Sequence, residues 1–417
     1  MKINANPVRG TVDYLPLEME VRQMAIDKIL KTFKDNGFLQ VKTPILESLA
    51  NLTTGDSGDN QKLMFKTVKR GEKLNLNKPN LTEADIVEEG LRYDLTVPLA
   101  RLYAGNKEKL ITPFKTIQID ESFRAERPQR GRNRQFTQCD IDIWGDASIF
   151  AEVEVMTTVL AAYKAIGLNN IVLKVNDRKI LSQLVMFEGF DEADVNDVCV
   201  TIDKLDKIGI TGVKEELCKK FERIEQIETM ANEFAQTLDT IQKLGIKYLK
   251  NYGVDQSLID NLQTIIDIVS SLSGCKVVYD VTIVRGQGYY TGTVFECYAE
   301  NGTFTRAIGG GGRYDKMLER FLGTSVPAVG YGIGLDSVLA VFDEQNVKVT
   351  ANRYALIYPK DADIGQVFLA KQNLIKSGKQ VSVFADPKNF RNFCEKLKLN
   401  GFAGIIKLAE LNKIIEL

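Results

Sequence analysis

Five arginines crowd one short segment of this chain: Arg124, Arg127, Arg130, Arg132 and Arg134, set around Pro128 and Gly131. A guanidinium is charged at any physiological pH, and its planar fork of donors fits phosphate or carboxylate two oxygens at a time. Several of them at one turn repel each other unless an anion sits among them. The bland alternative is a solvated basic turn. Such a turn does not need Glu126 and Gln138 on strand-like positions among its arginines, so an anion site is the better reading.

Three further features could do chemistry. Arg285-Gly286-Gln287-Gly288-Tyr289-Tyr290-Thr291-Gly292 presents an arginine with paired tyrosines. Four glycines at 309–312 precede Arg313-Tyr314-Asp315 and read as a loop through which backbone approaches a ligand. Taken alone, a glycine run is as often a tight turn, and a tyrosine pair as often half-buried strand. Asp94 and Asp142 stand on largely apolar or alternating segments, where burial demands a partner. An absence narrows the chemistry further: the 417 residues include no histidine. That removes the commonest general base and metal ligand, and excludes Ser-His-Asp hydrolysis, Cys-His proteolysis and His-bound zinc. What remains is Arg, Asp, Glu, Tyr, backbone dipoles or a bound hard cation. Phosphate-activating chemistry fits, because it depends on positioning and charge neutralisation.

The elements that must position these groups follow from periodicity. Residues 114–123 alternate apolar and polar, and 136–144 do so imperfectly, which predicts a long hairpin with the arginines in its loop. Residues 17–36 repeat apolar positions at i+4 and predict a helix. A strand is expected at 38–41, a loop at 52–60, and a strand leading into a helix near Pro98 over 91–101. Glycine and proline become scarce from 176 to 270, where helical spacing dominates, as in 213–244 and 258–272. Strands return at 277–285, 289–298 and 304–308, and a helix at 335–342 follows Gly330-Tyr331-Gly332-Ile333-Gly334. Residues 344–353 read as a linker. The tail alternates strand (354–358), helix (364–375), strand (380–384), helix (389–399) and strand (404–408), a small parallel or mixed sheet.

At 46.7 kDa the chain is expected to hold two to three domains with real cores. No apolar run approaches membrane-spanning length, and the start has no signal-peptide core. Six scattered cysteines without a Cys-x-x-Cys pair read as reduced thiols of a cytoplasmic protein. Residues 351–417 hold 11 Lys and Arg against 6 Asp and Glu, a balance that favours a polyanion such as RNA.

In this order and combination, the segments resemble the histidyl-tRNA synthetases, a family of class II aminoacyl-tRNA synthetases. The resemblance runs from Arg9-Gly10-Thr11-Val12-Asp13 to the tail. Arg-Gly-x-x-Tyr-Tyr-Thr-Gly and Gly-Gly-Gly-Gly-Arg-Tyr-Asp are its specific motifs, and Asp203-Lys204-Leu205-Asp206-Lys207-Ile208-Gly209 fits the same family. The resemblance implies an α+β fold: a class II catalytic core over 1–346, an antiparallel sheet flanked by helices. It also implies a helical insertion at 176–270 and a shortened anticodon-binding-like α/β domain at 351–417. It places Thr43-Pro44 at a homodimer interface. Arg124 is implied to contact the ATP α-phosphate and the amino-acid carboxylate, with Arg285 beside that phosphate. Glu126 and Arg132 are implied to hold the adenine end and the distal phosphates. The histidine pocket is implied to use Asp94, Thr96, Gln138, Asp142, Tyr289, Tyr290 and Tyr314, with no protein-bound metal.

The implied reaction has two steps. The histidine carboxylate attacks the α-phosphorus of ATP, carried with Mg2+, and tRNA(His) then accepts the histidyl group. The first step needs no protein base, because a carboxylate is already ionised at pH 7. Three positions depart from the family pattern. The third class II motif ends here in Asp336-Ser337 in place of Glu-Arg, Thr137 replaces an aromatic or histidine, and the tail is short. The alternative is a non-charging, histidine-sensing paralogue, such as the regulatory subunit of ATP phosphoribosyltransferase in histidine biosynthesis, whose partner is the catalytic subunit of that enzyme.

Overall fold

The computed structural model describes residues 3–53, 61–284, 289–300, 302–345, 347 and 352–417, apart from the Asp206 side chain. Most of the loop expected at 52–60, and Arg285 with the Gly286-Gln287-Gly288 that follows it, lie outside the described residues. The chain divides into two compact units. One joins Met1–Thr11 to Lys28–Glu344, the other Val12–Asp27 to Gln345–Leu417.

The larger unit is built on an eight-stranded sheet in the order β1-β5-β6-β11-β10-β9-β7-β8. Its strands are β1 (Leu39–Gln40), β5 (Phe114–Phe123), β6 (Gln135–Trp144), β7 (Ile171–Asp177), β8 (Lys276–Tyr279), β9 (Thr293–Ala299), β10 (Gly309–Arg313) and β11 (Ala328–Gly334). Only the outer pairs, β1 with β5 and β7 with β8, are parallel. A separate antiparallel sheet, β2 (Leu46–Ser48), β4 (Val87–Leu91) and β3 (Lys66–Val68), precedes the helix Thr96–Asn106. The expected hairpin is present: β5 and β6 pair from Phe114 opposite Trp144 to Phe123 opposite Gln135.

The glycine run differs from its reading as a loop. It forms β10, inside the sheet between β9 and β11, with Gly311 opposite Tyr331. The reason is space. A Cβ on Gly311 would lie 1.9 Å from the Gly330 carbonyl oxygen, and one on Gly312 would lie 2.6 Å from that of Thr293. The same crowding crosses to β6, where Gly330 faces Asp142 and Gly332 faces Asp140. Added Cβ atoms there would meet the two carboxylates at 2.0 and 2.5 Å. These glycines make room for acidic side chains on the neighbouring strand. The strand expected at 304–308 does not form; the regular strand begins at Gly309.

Helices cover the sheet. Ile149–Ala165 buries residues on nearly every side, among them Val155, Met156, Val159, Leu160 and Tyr163, because it lies between β11 and the helix Gln256–Ser273. Its first turn is pinned to the end of β10 by a buried ion pair, Arg313 Nε to Glu152 Oε1 at 2.6 Å. Trp144 is fully buried, stacked on Tyr103 at 5.3 Å and edge-on to Tyr314 at 5.5 Å. Between β7 and β8 the chain runs through the helices Arg178–Phe187, Val195–Ile202, Leu205–Lys220, Ile227–Leu244 and Gln256–Ser273. The continuous helical spacing read over 213–244 is broken between Lys220 and Ile227, where Gln226 takes a positive φ of 66°.

The smaller unit is a four-stranded sheet, β13 (Gln380–Ala385), β12 (Arg353–Tyr358), β14 (Gly404–Lys407) and β15 (Glu410–Glu416). The first three strands run parallel and β15 is antiparallel to β14. Its helices Ile364–Lys376 and Phe390–Leu399 are capped by Asp363 and Asn389, whose side chains accept from Gln366 N and Asn392 N at 2.9 and 3.1 Å. Strand β15 was not expected, because its sequence is mostly polar; its residues are indeed largely exposed. No disulfide joins the cysteines among the described residues.

Candidate active site

One cavity of about 550 Å³ opens over β6, β9, β10 and β11. It gathers Asp94, Thr96, Gln138, Asp142, Tyr289, Tyr290 and Tyr314, together with Arg124, Glu126 and Arg132. Those ten were read from the sequence as site residues. Arg285 was as well, but it lies outside the described residues.

Asp142 lies near the C-terminal end of β6, opposite the side-chain-free Gly330, and is buried. Its Oδ1 accepts the hydroxyl hydrogen bond of Tyr314, while Oδ2 has no partner among the described residues. Burial pushes its carboxyl up to about 7; the Tyr314 hydrogen bond opposes this, and the charge of Asp94 adds to it. Tyr314 itself is held well above 10, chiefly by burial, and therefore stays a neutral donor. Tyr290 and Tyr314 pack edge to face at 6.4 Å, and Tyr289 lies 4.7 Å from Tyr290. Asp94 also accepts the Val97 N–H at 3.1 Å, which fixes it to the start of the helix Thr96–Asn106. Gln138 donates to Asp140 at 3.4 Å, leaving its own carbonyl oxygen Oε1 buried without a partner among the described residues.

A second group in the cavity is cationic. Arg124 lies over the Tyr93 ring at 4.3 Å and the Phe136 ring at 5.0 Å, and its Nε donates to the Tyr93 carbonyl at 3.2 Å. Aromatic faces and a carbonyl hold this guanidinium in place without consuming its charge. Arg132 is paired with Glu126. A pocket with carboxylates and tyrosine hydroxyls in one group and guanidiniums in the other suits a zwitterionic, nitrogen-rich ligand beside a polyanion.

Asp140, Glu296, Arg306 and Asp336 also line the cavity and were missed by the sequence reading. A signal for Asp140 was present: Gln138, Asp140 and Asp142 alternate along one strand and so share a face. Asp336 accepts the Thr137 N–H at 3.0 Å, tying the helix Leu335–Gln345 to β6.

Residues 10–338 match the histidyl-tRNA synthetase family. The chain belongs to that family. A histidine–tRNA ligase from Leifsonia xyli subsp. xyli is 37% identical over 407 residues, covering 95% of this chain and 93% of the relative. The solved histidyl-tRNA synthetase from Nostoc sp. PCC 7120 superposes with a TM-score of 0.74 at 24% identity, covering 97% of this chain and 91% of that one. A Bacillus halodurans C protein described as an ATP phosphoribosyltransferase regulatory subunit/histidyl-tRNA synthetase gives a TM-score of 0.75 at 19% identity, covering 98% and 99%. Identities this low speak for the fold alone. That fold is the class II aminoacyl-tRNA synthetase core, a large sheet flanked by helices.

Proposed function

We propose that this protein activates L-histidine with ATP as histidyl-adenylate and transfers the histidyl group to tRNA(His). The observation that carries the reading is the buried Oδ2 of Asp142, set in the same cavity as the guanidinium of Arg124, the first without a hydrogen-bond partner and the second without a carboxylate among the described residues. Asp142 and Asp94 accept from the imidazole and ammonium donors of histidine. Gln138, Thr96, Tyr289, Tyr290 and Tyr314 complete the pocket. Arg124 aligns the histidine carboxylate with the α-phosphate of Mg-ATP and neutralises charge there as the carboxylate attacks and pyrophosphate leaves. Arg285 supports the same phosphate, while Glu126 and Arg132 hold the adenine end and the distal phosphates. The chemistry needs no histidine in the protein, consistent with a chain that has none.

The test is isotope exchange between pyrophosphate and ATP, with L-histidine added or withheld, followed by charging of tRNA(His). Exchange that depends on L-histidine and is silent with other amino acids is the expected result; exchange indifferent to histidine refutes the reading.

The partners follow from the same reading. Among the described residues no helix is long and apolar enough to cross a membrane, and we assign the protein to the cytoplasm with its tRNA. Residues 351–417 act as a shortened anticodon-binding-like domain, in addition to the core at 1–346 and the helical insertion at 176–270. Thr43-Pro44 forms a homodimer interface. The fully buried Arg92 stiffens this segment, donating to the Thr43 carbonyl at 3.0 Å and the Glu121 carbonyl at 2.6 Å. Light scattering at micromolar concentration is expected to return twice the chain mass, and the mass of one chain contradicts the assignment.

A further inference from the structure

A third guanidinium lines the cavity and has no role in the account above. Arg306 belongs to the segment entering β10. Its described contacts are neutral: it donates to Gln129 Oε1 at 3.0 Å and lies over the Phe304 ring at 5.2 Å. Burial and, behind it, the charge of nearby Arg132 hold Arg306 below the ordinary guanidinium range. Glu126 already pairs with Arg132, whereas Arg306 meets no carboxylate among the described residues, so an anion arriving here finds net positive charge.

The surroundings keep Arg306 beside the arginine-rich turn. Gln129, which Arg306 meets, closes that turn through paired backbone hydrogen bonds with Arg132, at 3.0 and 2.9 Å. Phe304 is buried against Gly131, where an added Cβ would lie 3.0 Å from its ring. Glu344 ties both sides together. It accepts the Thr303 N–H at 2.9 Å and the Phe304 N–H at 3.3 Å, and pairs with Arg130 at 2.7 Å. Ser337 lines the same cavity from the helix Leu335–Gln345 and donates its hydroxyl to the Gly131 carbonyl at 3.1 Å. Arg306 and Ser337 therefore flank one turn from two different elements. Ser337, at the position where the family pattern has arginine, carries no charge.

We propose that Arg306 binds the distal phosphates of ATP, supplying from the segment before β10 the positive charge that Ser337 does not supply from its helix. The proposal rests on the ATP-dependent reading of the cavity. A guanidinium beside Arg132 can fork onto phosphate oxygens without first leaving a carboxylate, so little is lost when the nucleotide arrives.

The experiment uses the full chain with Arg306→Ala, Arg306→Lys and the double change Arg306→Ala with Ser337→Arg. Arg306→Ala is expected to raise the KM for ATP about tenfold or more and to leave the KM for histidine unchanged. Lysine is expected to recover part of the loss by charge alone, and Ser337→Arg to recover part of it from the other side of the turn. An ATP KM within twofold of the parent in Arg306→Ala overturns the proposal. So does a parallel weakening of ATP and histidine, which marks a role in packing. If the parent protein runs no exchange, the functional reading falls, and calorimetry with Mg-ATP decides the site alone. A tenfold weaker Kd in Arg306→Ala then upholds the phosphate contact, and an unchanged Kd removes it.

Discussion

Arg124→Ala is expected to lower histidine-dependent ATP–pyrophosphate exchange by about 10²–10³-fold in kcat, the range for removing one preorganised donor from developing charge. The size of the effect follows from how the residue is held. Tyr93 and Phe136 clamp the guanidinium from its faces, and one carbonyl takes Nε. Its remaining donors meet no carboxylate among the described residues, so their charge is available to the carboxylate and phosphate that react. Arg124→Lys keeps the charge but loses the planar fork and the stacking, and is expected to fall between parent and alanine. Because the side chain packs on aromatic faces, a thermal melt must accompany the kinetics. A variant that melts with the parent yet exchanges at the parent rate would remove Arg124 from the reaction.

The hairpin that carries Arg124 was readable because its determinants are local. Alternation along 114–123 and the turn residues Pro128 and Gly131 lie within a few residues of the strands they define. The helices from 178 to 273 were readable for the same reason, apart from the break at Gln226. The glycines at 309–312 were not. Locally, four glycines lack the side chains that mark a strand, so a loop is the natural expectation. What makes them a strand is non-local: the Gly330 carbonyl 1.9 Å from where a Gly311 Cβ would be, and carboxylates of β6 filling the space above Gly330 and Gly332. The site shows the same division. Residues within motifs were legible, whereas Arg306 was not, since its significance comes from Gln129 and Arg132 far away in sequence. Asp140 was missed through attention to motifs, although strand alternation alone puts it beside Asp142.

Histidine affinity should rise about tenfold between pH 6 and pH 8, and Asp142 is the reason. Its carboxyl holds a proton up to about 7, because burial disfavours the charged form. The bound ligand needs that group as an acceptor, so histidine binding releases a proton and strengthens as pH rises through 7. The ligand's own imidazole titration does not cancel this, since a neutral imidazole keeps one N–H to donate. Protein stability should move in the opposite direction. A carboxyl raised above its unfolded value contributes stability that is fully present below about 4 and is lost as pH rises through about 7. The ligand-free protein should therefore lose on the order of 1 kcal/mol from this group between pH 6 and pH 8. Added histidine should in turn raise the melting temperature more at pH 8 than at pH 6. Asp142→Asn should flatten both profiles while preserving the packing under Tyr314 and Gly330. Asp142→Ala should weaken histidine binding tenfold or more at pH 8, since it leaves a ligand donor buried without an acceptor. Calorimetric titration at the two pH values measures the affinities, and repeating it in buffers of different ionisation enthalpy counts the released proton. Equal affinity at pH 6 and 8 with no proton released would mean that Asp142 does not take up the histidine donor.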